Sequence, residues 1–188
     1  MATYNVNLGI GNSADSGTTG MFYVADADTS LPASASTAPG NDWTEVGAIS
    51  SDGITYNPNR TFDDLKNWAK KIERQLPSDE AATVTAPIIY TTDSVLKMLF
   101  GDDNVTVTAA TSSHGKQISV NMDNTLLPDP KAFLFVMKDG DDMMMLGTKK
   151  GYISELGEIS FQSEEAITWE ATIKGDWTFM KDDGQTTS

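Results

Sequence analysis

From Ile167 to Phe179 the side chains alternate strictly between apolar and polar. Trp169, Ala171, Ile173, Trp177 and Phe179 fall on one side, and Thr168, Glu170, Thr172, Lys174, Asp176 and Thr178 on the other. Successive residues of an extended strand point to opposite faces, so the pattern specifies a strand with one dry face and one wet, charged face. The runs Phe133-Leu134-Phe135-Val136-Met137 and Met143-Met144-Met145-Leu146 are apolar on both faces. A strand buried on both sides needs a cover, supplied by a helix or by another subunit. The chain is therefore expected to be mainly β.

The remaining pattern fits that expectation. Met21 to Ala25 is a short apolar strand candidate, and Ala82 to Thr91 is rich in β-formers. Asp139-Gly140-Asp141-Asp142 makes a hairpin between Ala132–Lys138 and Met143–Thr148, and Tyr152 to Phe161 reads as a further strand. Trp43 to Tyr56 reads as strand, turn, strand pairing on itself, with Ser51-Asp52-Gly53 as the turn. One helix is expected over Thr92–Phe100. Thr92 or Asp93 caps it, Val95, Leu96, Leu99 and Phe100 form an apolar stripe, and Gly101 stands where a C′ residue belongs. Residues 62–76 read as a short helical turn followed by a strand. Asp26 to Asp42, with Pro32 and Pro39, has no periodicity and reads as a long exposed loop. Met1 to Gly20 reads as an arm that needs an external anchor, and Lys181 to Ser188 as a disordered acidic tail.

Composition narrows the functions. The 188 residues suit one domain, and a chain of that size buries roughly 70% of its unfolded surface. No apolar run approaches the ~18 residues of a membrane span, and Met1 to Gly20 lacks the basic and apolar regions of a secretory signal. There is no cysteine, hence no disulfide frame and no thiolate chemistry. The net charge is −14, and no Lys or Arg precedes Arg60. Gripping nucleic acid needs clustered Lys and Arg, so the balance argues against it. Such a charge either keeps the protein soluble or makes a wall that DNA slides past.

No set of residues converges on catalysis. His114, the only histidine, lies in the turn-like Thr111-Ser112-Ser113-His114-Gly115, and no G-x-S-x-G elbow accompanies it. Asp102-Asp103-Asn104 and Asp139 to Asp142 lack the spacing of a calcium loop, and the glycines form no phosphate-binding pattern. Of the four tryptophans, each a candidate for base stacking, Trp169 and Trp177 belong to the apolar face of a good strand. Catalytic, cofactor and metal sites are therefore all expected to be absent.

The segment Trp43 to Tyr56 contains every element of a "WxxxGxISxDGI" stretch, and it resembles the major tail (tail tube) proteins of bacteriophages with long non-contractile tails. The helix ending in Gly101, the hairpin Phe133 to Thr148, and the strands Glu155 to Phe161 and Ala166 to Ile173 follow in the order seen in that family. The resemblance implies a phage tail tube fold: a β-sandwich or half-barrel of two sheets with one short flanking α-helix. An N-terminal arm (1–20), a domain (21–180) with its long inter-strand loop (26–42) and helix (92–101), and a flexible tail (181–188) complete it. It further implies a virion structural protein, assembled in the bacterial host cytoplasm and located in the virion tail. Its rings would be homohexamers stacked head to tail around the tape measure protein. Tail terminator and distal tail proteins would be further partners, and double-stranded DNA would pass through the lumen without specific binding. The expected lumen residues are Glu158, Ser160, Glu170 and Thr172, with Glu45. The expected inter-ring or inter-subunit contacts are Asp26, Leu31, Pro32, Pro39, Met143 and Met145. Two other readings stay open: the inner tube of a contractile tail or type VI-like machine, and a secreted β-sandwich adhesion module.

Overall fold

The computed structural model describes residues 21–59, 62–77, 81–122, 128–139, 142–159, 161 and 167–183; the arm 1–20, Ser160 and residues 184–188 lie outside them. In chain order the strands are β1 (Met21–Asp26), β2 (Thr44–Ala48), β3 (Thr55–Asn57), β4 (Phe62–Lys66), β5 (Ile72–Pro77) and β6 (Thr83–Ile88). The helix α1 (Asp93–Phe100) comes next, followed by β7 (Val105–Thr108), β8 (Gln117–Val120), β9 (Lys131–Asp139) and β10 (Asp142–Leu156). The described chain closes with β11 (Trp169–Gly175) and β12 (Thr178–Asp182). The main sheet has the order β2-β1-β9-β10-β11-β6-β3, with β12 also paired to β10. Two small hairpins, β4-β5 and β7-β8, stand apart from it. The architecture is mainly β with one α-helix among the described residues, as the alternation requires.

The segment Trp43 to Tyr56 does contain a turn: the Gly53 N–H donates to Ser50 O at 3.0 Å, and Gly53 takes φ 72°. Its two strands do not pair with each other, contrary to expectation. β2 pairs with β1, and β3 pairs with β6, at opposite ends of the sheet order. Between them Ile49 bridges Ile88, and Ser50 N–H donates to Pro87 O at 2.8 Å. The motif thus carries the chain across the seam where the two ends of the curled sheet meet, without closing a barrel. The turn supplies the reversal, but strand pairing is decided by which apolar residues reach the core.

The inner face of the sheet forms the main core. Phe22 stacks on Phe135 at 4.5 Å between ring centroids. Val84, Ala86 and Ile88 of β6 and Trp169, Ala171 and Ile173 of β11 point the same way. The cover is α1, which buries Val95, Leu96, Met98, Leu99 and Phe100. Fully burying a side chain of this kind contributes about 1.5–3 kcal/mol, so the helix is held by its packed face more than by its own propensity. Phe100 meets Trp169 edge-on at 5.9 Å, and the Trp169 indole N–H donates to Thr91 Oγ1 at 2.9 Å. Thr92 caps the helix, its Oγ1 accepting from Val95 N–H at 3.3 Å, and Gly101 ends it at φ 87°. Thr92→Ala is expected to lower the unfolding free energy by about 1 kcal/mol in urea titration.

The outer face of β1, β9 and β10 has a different cover. Ala25, Ala132, Leu134 and Met145 are buried there together with Ala35 and Trp43. Leu31 packs against the same cluster, so close to Gly147 that a Cβ at 147 would come within 2.7 Å of Leu31 Cδ2. The segment 26–42, expected as an exposed loop, therefore lies on the sheet. Few of its residues are apolar, but Leu31 and Ala35 are placed to pack.

Three further expectations need correction. Residues 62–66 are strand, not helical turn. Asn67 Oδ1 accepts from Lys71 N–H at 3.0 Å, and Asn67 N–H donates to Lys71 O at 2.8 Å. With Lys70 at φ 60°, these bonds close a hairpin turn over Asn67–Lys71 that overrides a weak helical pattern. The run from Ile167 to Phe179 breaks at Asp176-Trp177, although β11 and β12 both pair along β10. Trp177 packs on the core, whereas Phe179 is exposed. Finally, β12 runs on through Lys181 and Asp182, which places the start of the expected disordered tail within a strand.

Candidate functional site

Cross-strand register builds one polar surface on the outer face of β10, β11, β6 and β3. Directly opposed residues share a face, so Glu155, Thr172, Thr85 and Thr55 form a row across four strands. Tyr152, Lys174, Thr83 and Asn57 form the next row, and Glu170 faces Pro87. Thr85 and Thr172 hydroxyls meet at 3.2 Å. The Ser154 hydroxyl donates to Thr172 O at 3.1 Å. Gly157 N–H donates to Glu170 O at 2.8 Å, and a Cβ at 157 would lie 2.9 Å from the Glu170 side chain, so position 157 shares the face of Glu170. Beneath this face Val84, Ala86, Ala171 and Ile173 are fully buried. The surface therefore has the one-dry, one-wet construction of the sequence pattern, with Glu155 and Glu170 as its acids.

Of the expected lumen residues, Glu170 and Thr172 come together here, and Glu158 is exposed just past the end of β10, one residue beyond Gly157. Ser160 lies outside the described residues. Glu45 does not join them: it sits on β2 opposite Tyr23, at the other end of the sheet order. Burial raises the Tyr23 phenol above its usual value, and the nearby Glu45 charge adds to the effect. Glu155, Thr85 and Thr55 belong to the surface and were not anticipated. Only register reveals them.

The expected contact residues fall into two groups. Pro39, Met143 and Met145 line one cavity of about 210 Å³ between the 26–42 segment and the sheet. Met145 is only 1% exposed, packed inside its own subunit, so in this conformation it is not a surface contact. Leu31 and Pro32 are half-buried in the segment itself. Asp26 is exposed and accepts from Lys131 Nζ at 2.9 Å.

The surface that sequence reasoning missed is the hairpin β4-β5. Its strands pair only with each other. Phe62, Leu65, Ile72 and Leu76 are exposed, and Trp68 at the turn is completely so. Trp68, unlike Trp169 and Trp177, therefore packs on no core face. Register puts Phe62 on one face of the hairpin and Leu65 and Leu76 on the other, and large apolar side chains left exposed on an element paired only with itself are unusual for a monomer and mark an interaction surface. Among the described residues no group of three or more His, Cys, Asp or Glu is placed to hold a metal ion. No helix is long and apolar enough to cross a membrane.

An outer polar sheet face and a projecting apolar hairpin are features of a protein that assembles. The phage tail tube protein family matches residues 12–186. The chain belongs to that family. Its role is accordingly that of a structural component of a phage tail. No match is found among curated proteins. Two cryo-EM structures are similar. One is the anti-feeding prophage cap, a tube terminating cap, at 12% identity over 86% of this chain and 88% of that one, with a TM-score of 0.43. The other is the sheath/tube terminator of an extracellular contractile injection system in its extended state. It has 13% identity over 86% and 92% and a TM-score of 0.41. Likeness at that level is weaker than a shared fold, so the family assignment rests on the sequence match.

Proposed function

We propose that the chain forms homohexameric rings that stack head to tail into the tail tube, the conduit for double-stranded DNA. The polar face of β10, β11, β6 and β3 lines the lumen. The observation that carries this reading is the polar face of Glu155, Glu170 and the threonines laid over a dry core. Glu155 and Glu170 face DNA phosphates with like charge, and the threonines offer neutral hydroxyls, so DNA passes without being held. The tape measure protein fills the tube before DNA does, and tail terminator and distal tail proteins close its ends. Assembly takes place in the host cytoplasm.

The chain has no cysteine, so single Glu170→Cys and Thr172→Cys variants give unambiguous labels. In assembled tubes both positions should react with a small maleimide and resist one attached to a large polymer. Free labelling by the large reagent would put these side chains on the tube exterior and sink the lumen assignment. A companion variant carrying Glu155→Lys and Glu170→Lys should fold normally, because exposed substitutions change stability by about 0.5 kcal/mol or less. Its tubes should retain DNA in low salt and release it as salt rises, a behaviour absent from the unmodified protein. A sheath protein that co-purified with the tubes would move the chain to a contractile machine.

A further inference from the structure

The hairpin β4-β5 presents an aromatic anchor flanked by positive charge. Trp68 is fully exposed at its turn, and Lys66, Lys70, Lys71 and Arg74 flank it in sequence, with Glu73 among them and Asp63 and Asp64 farther along β4. Four of the 13 basic residues of a chain with net charge −14 are thus gathered at one tip. A surface complementary to such a tip needs an apolar floor and an acidic rim. The body of the subunit carries one: a cleft of about 240 Å³ between β1, the end of the 26–42 segment and α1. Val24, Ala25 and Met98 supply apolar lining, and Asp26, Asp42 and Asp102 supply the acids.

Two cations also line this cleft, Lys97 and Lys131. Lys131 is tied to Asp26 by a 2.9 Å ion pair. Its ammonium is held above the usual lysine range by that hydrogen bond, and by the charges of Asp26, Asp102 and Asp129. Three acids against two lysines leave the cleft lining with net negative charge. The other cavity, under the 26–42 segment, has no acid among its described lining residues, so it offers the tip no complementary charge.

We propose that the β4-β5 hairpin of one copy docks, through Trp68 and its flanking lysines, into the Asp26/Asp42/Asp102 cleft beside α1 of a second copy. This rests on the self-assembly reading and names the contact that drives it. Donor and acceptor are different surfaces, so the contact is heterologous and propagates instead of closing a two-fold dimer. Buried aromatic anchors dominate interface energetics, and rim charges set encounter rate and salt sensitivity.

The test uses the full chain and its lack of native cysteine. Ala69→Cys, which keeps Trp68, and Ser94→Cys variants are mixed under mild oxidation, Ser94 being in the cleft lining, and Ala69→Cys is mixed in parallel with Ser36→Cys from the methionine-lined cavity. Interchain disulfides between positions 69 and 94, and not between 69 and 36, are expected. Trp68→Ala should raise the concentration needed for assembly roughly 30-fold, as loss of an interface hot spot does. Lys70→Glu with Lys71→Glu should block assembly, and Asp42→Lys with Asp102→Lys in the partner should restore it. If unmodified chains form rings or tubes while 69–94 disulfides are absent, or Trp68→Ala assembles like the parent, the docking is wrong and the tube reading stands. If the unmodified chain never assembles and gives no 69–94 disulfide, both are wrong.

Discussion

Gly47→Ala should lower the unfolding free energy by roughly 2–5 kcal/mol, a large part of the total for a domain of this size. Gly47 sits at φ 142°, a conformation that an L side chain rarely adopts. An added Cβ would also lie 2.6 Å from Tyr90 Cδ2 and 3.0 Å from Tyr90 Cβ. The ring would have to move, and the backbone would remain strained. The residue lies where β2 shifts register against β1, so that Phe22 faces Gly47 and Tyr23 faces Glu45. That bulge turns the strand toward the seam at Ile49 and Ile88. Urea unfolding of Gly47→Ala should show the loss, whereas Gly40→Ala, with nothing within 4 Å of its Cβ, should unfold like the parent. Adding Tyr90→Ala to Gly47→Ala should recover the steric part only. A near-neutral Gly47→Ala would show that the bulge relaxes freely.

The second large effect is expected at Trp43. Its side chain is buried with Ala35, Leu134 and Met145, where it fastens the end of the 26–42 segment onto the outer face. Trp43→Ala should cost about 3–5 kcal/mol, the range for deleting a buried aromatic. It should also make the 26–42 segment the first site of cleavage in limited proteolysis. Trp68→Ala is the contrasting case: with its side chain wholly in solvent, it should leave monomer stability unchanged. The two tryptophans thus separate folding from assembly. Equal destabilisation by both would contradict the different environments found for them.

These positions show how far the sequence alone could be read. The helix was legible because all its signals agree: Thr92 as cap, an apolar stripe, and Gly101 at its end. Glu170 and Thr172 were legible because strict alternation assigns them to a wet face without reference to any other strand. Thr55, Thr85 and Glu155 were not, because their place on that face depends on pairings between strands distant in sequence. The same limit explains Trp43 to Tyr56. Its turn is local chemistry, but the partners of β2 and β3 are β1 and β6, which no local pattern names. β7 and β8 went unanticipated: both are four residues long and mostly exposed, so little patterning marks them. The β4-β5 hairpin was misread in part because Leu65, Trp68 and Ile72 happen to fall at helical spacing. Their apolar character is explained better by a partner than by a core within the same chain.

The central claim is that this chain builds a tube from copies of itself, and negative-stain electron microscopy of the purified protein tests it most directly. Across a concentration and salt series, with and without tail fragments as seeds, hollow tubes or stacking six-fold rings are the predicted result. A strict monomer under every one of those conditions would contradict it.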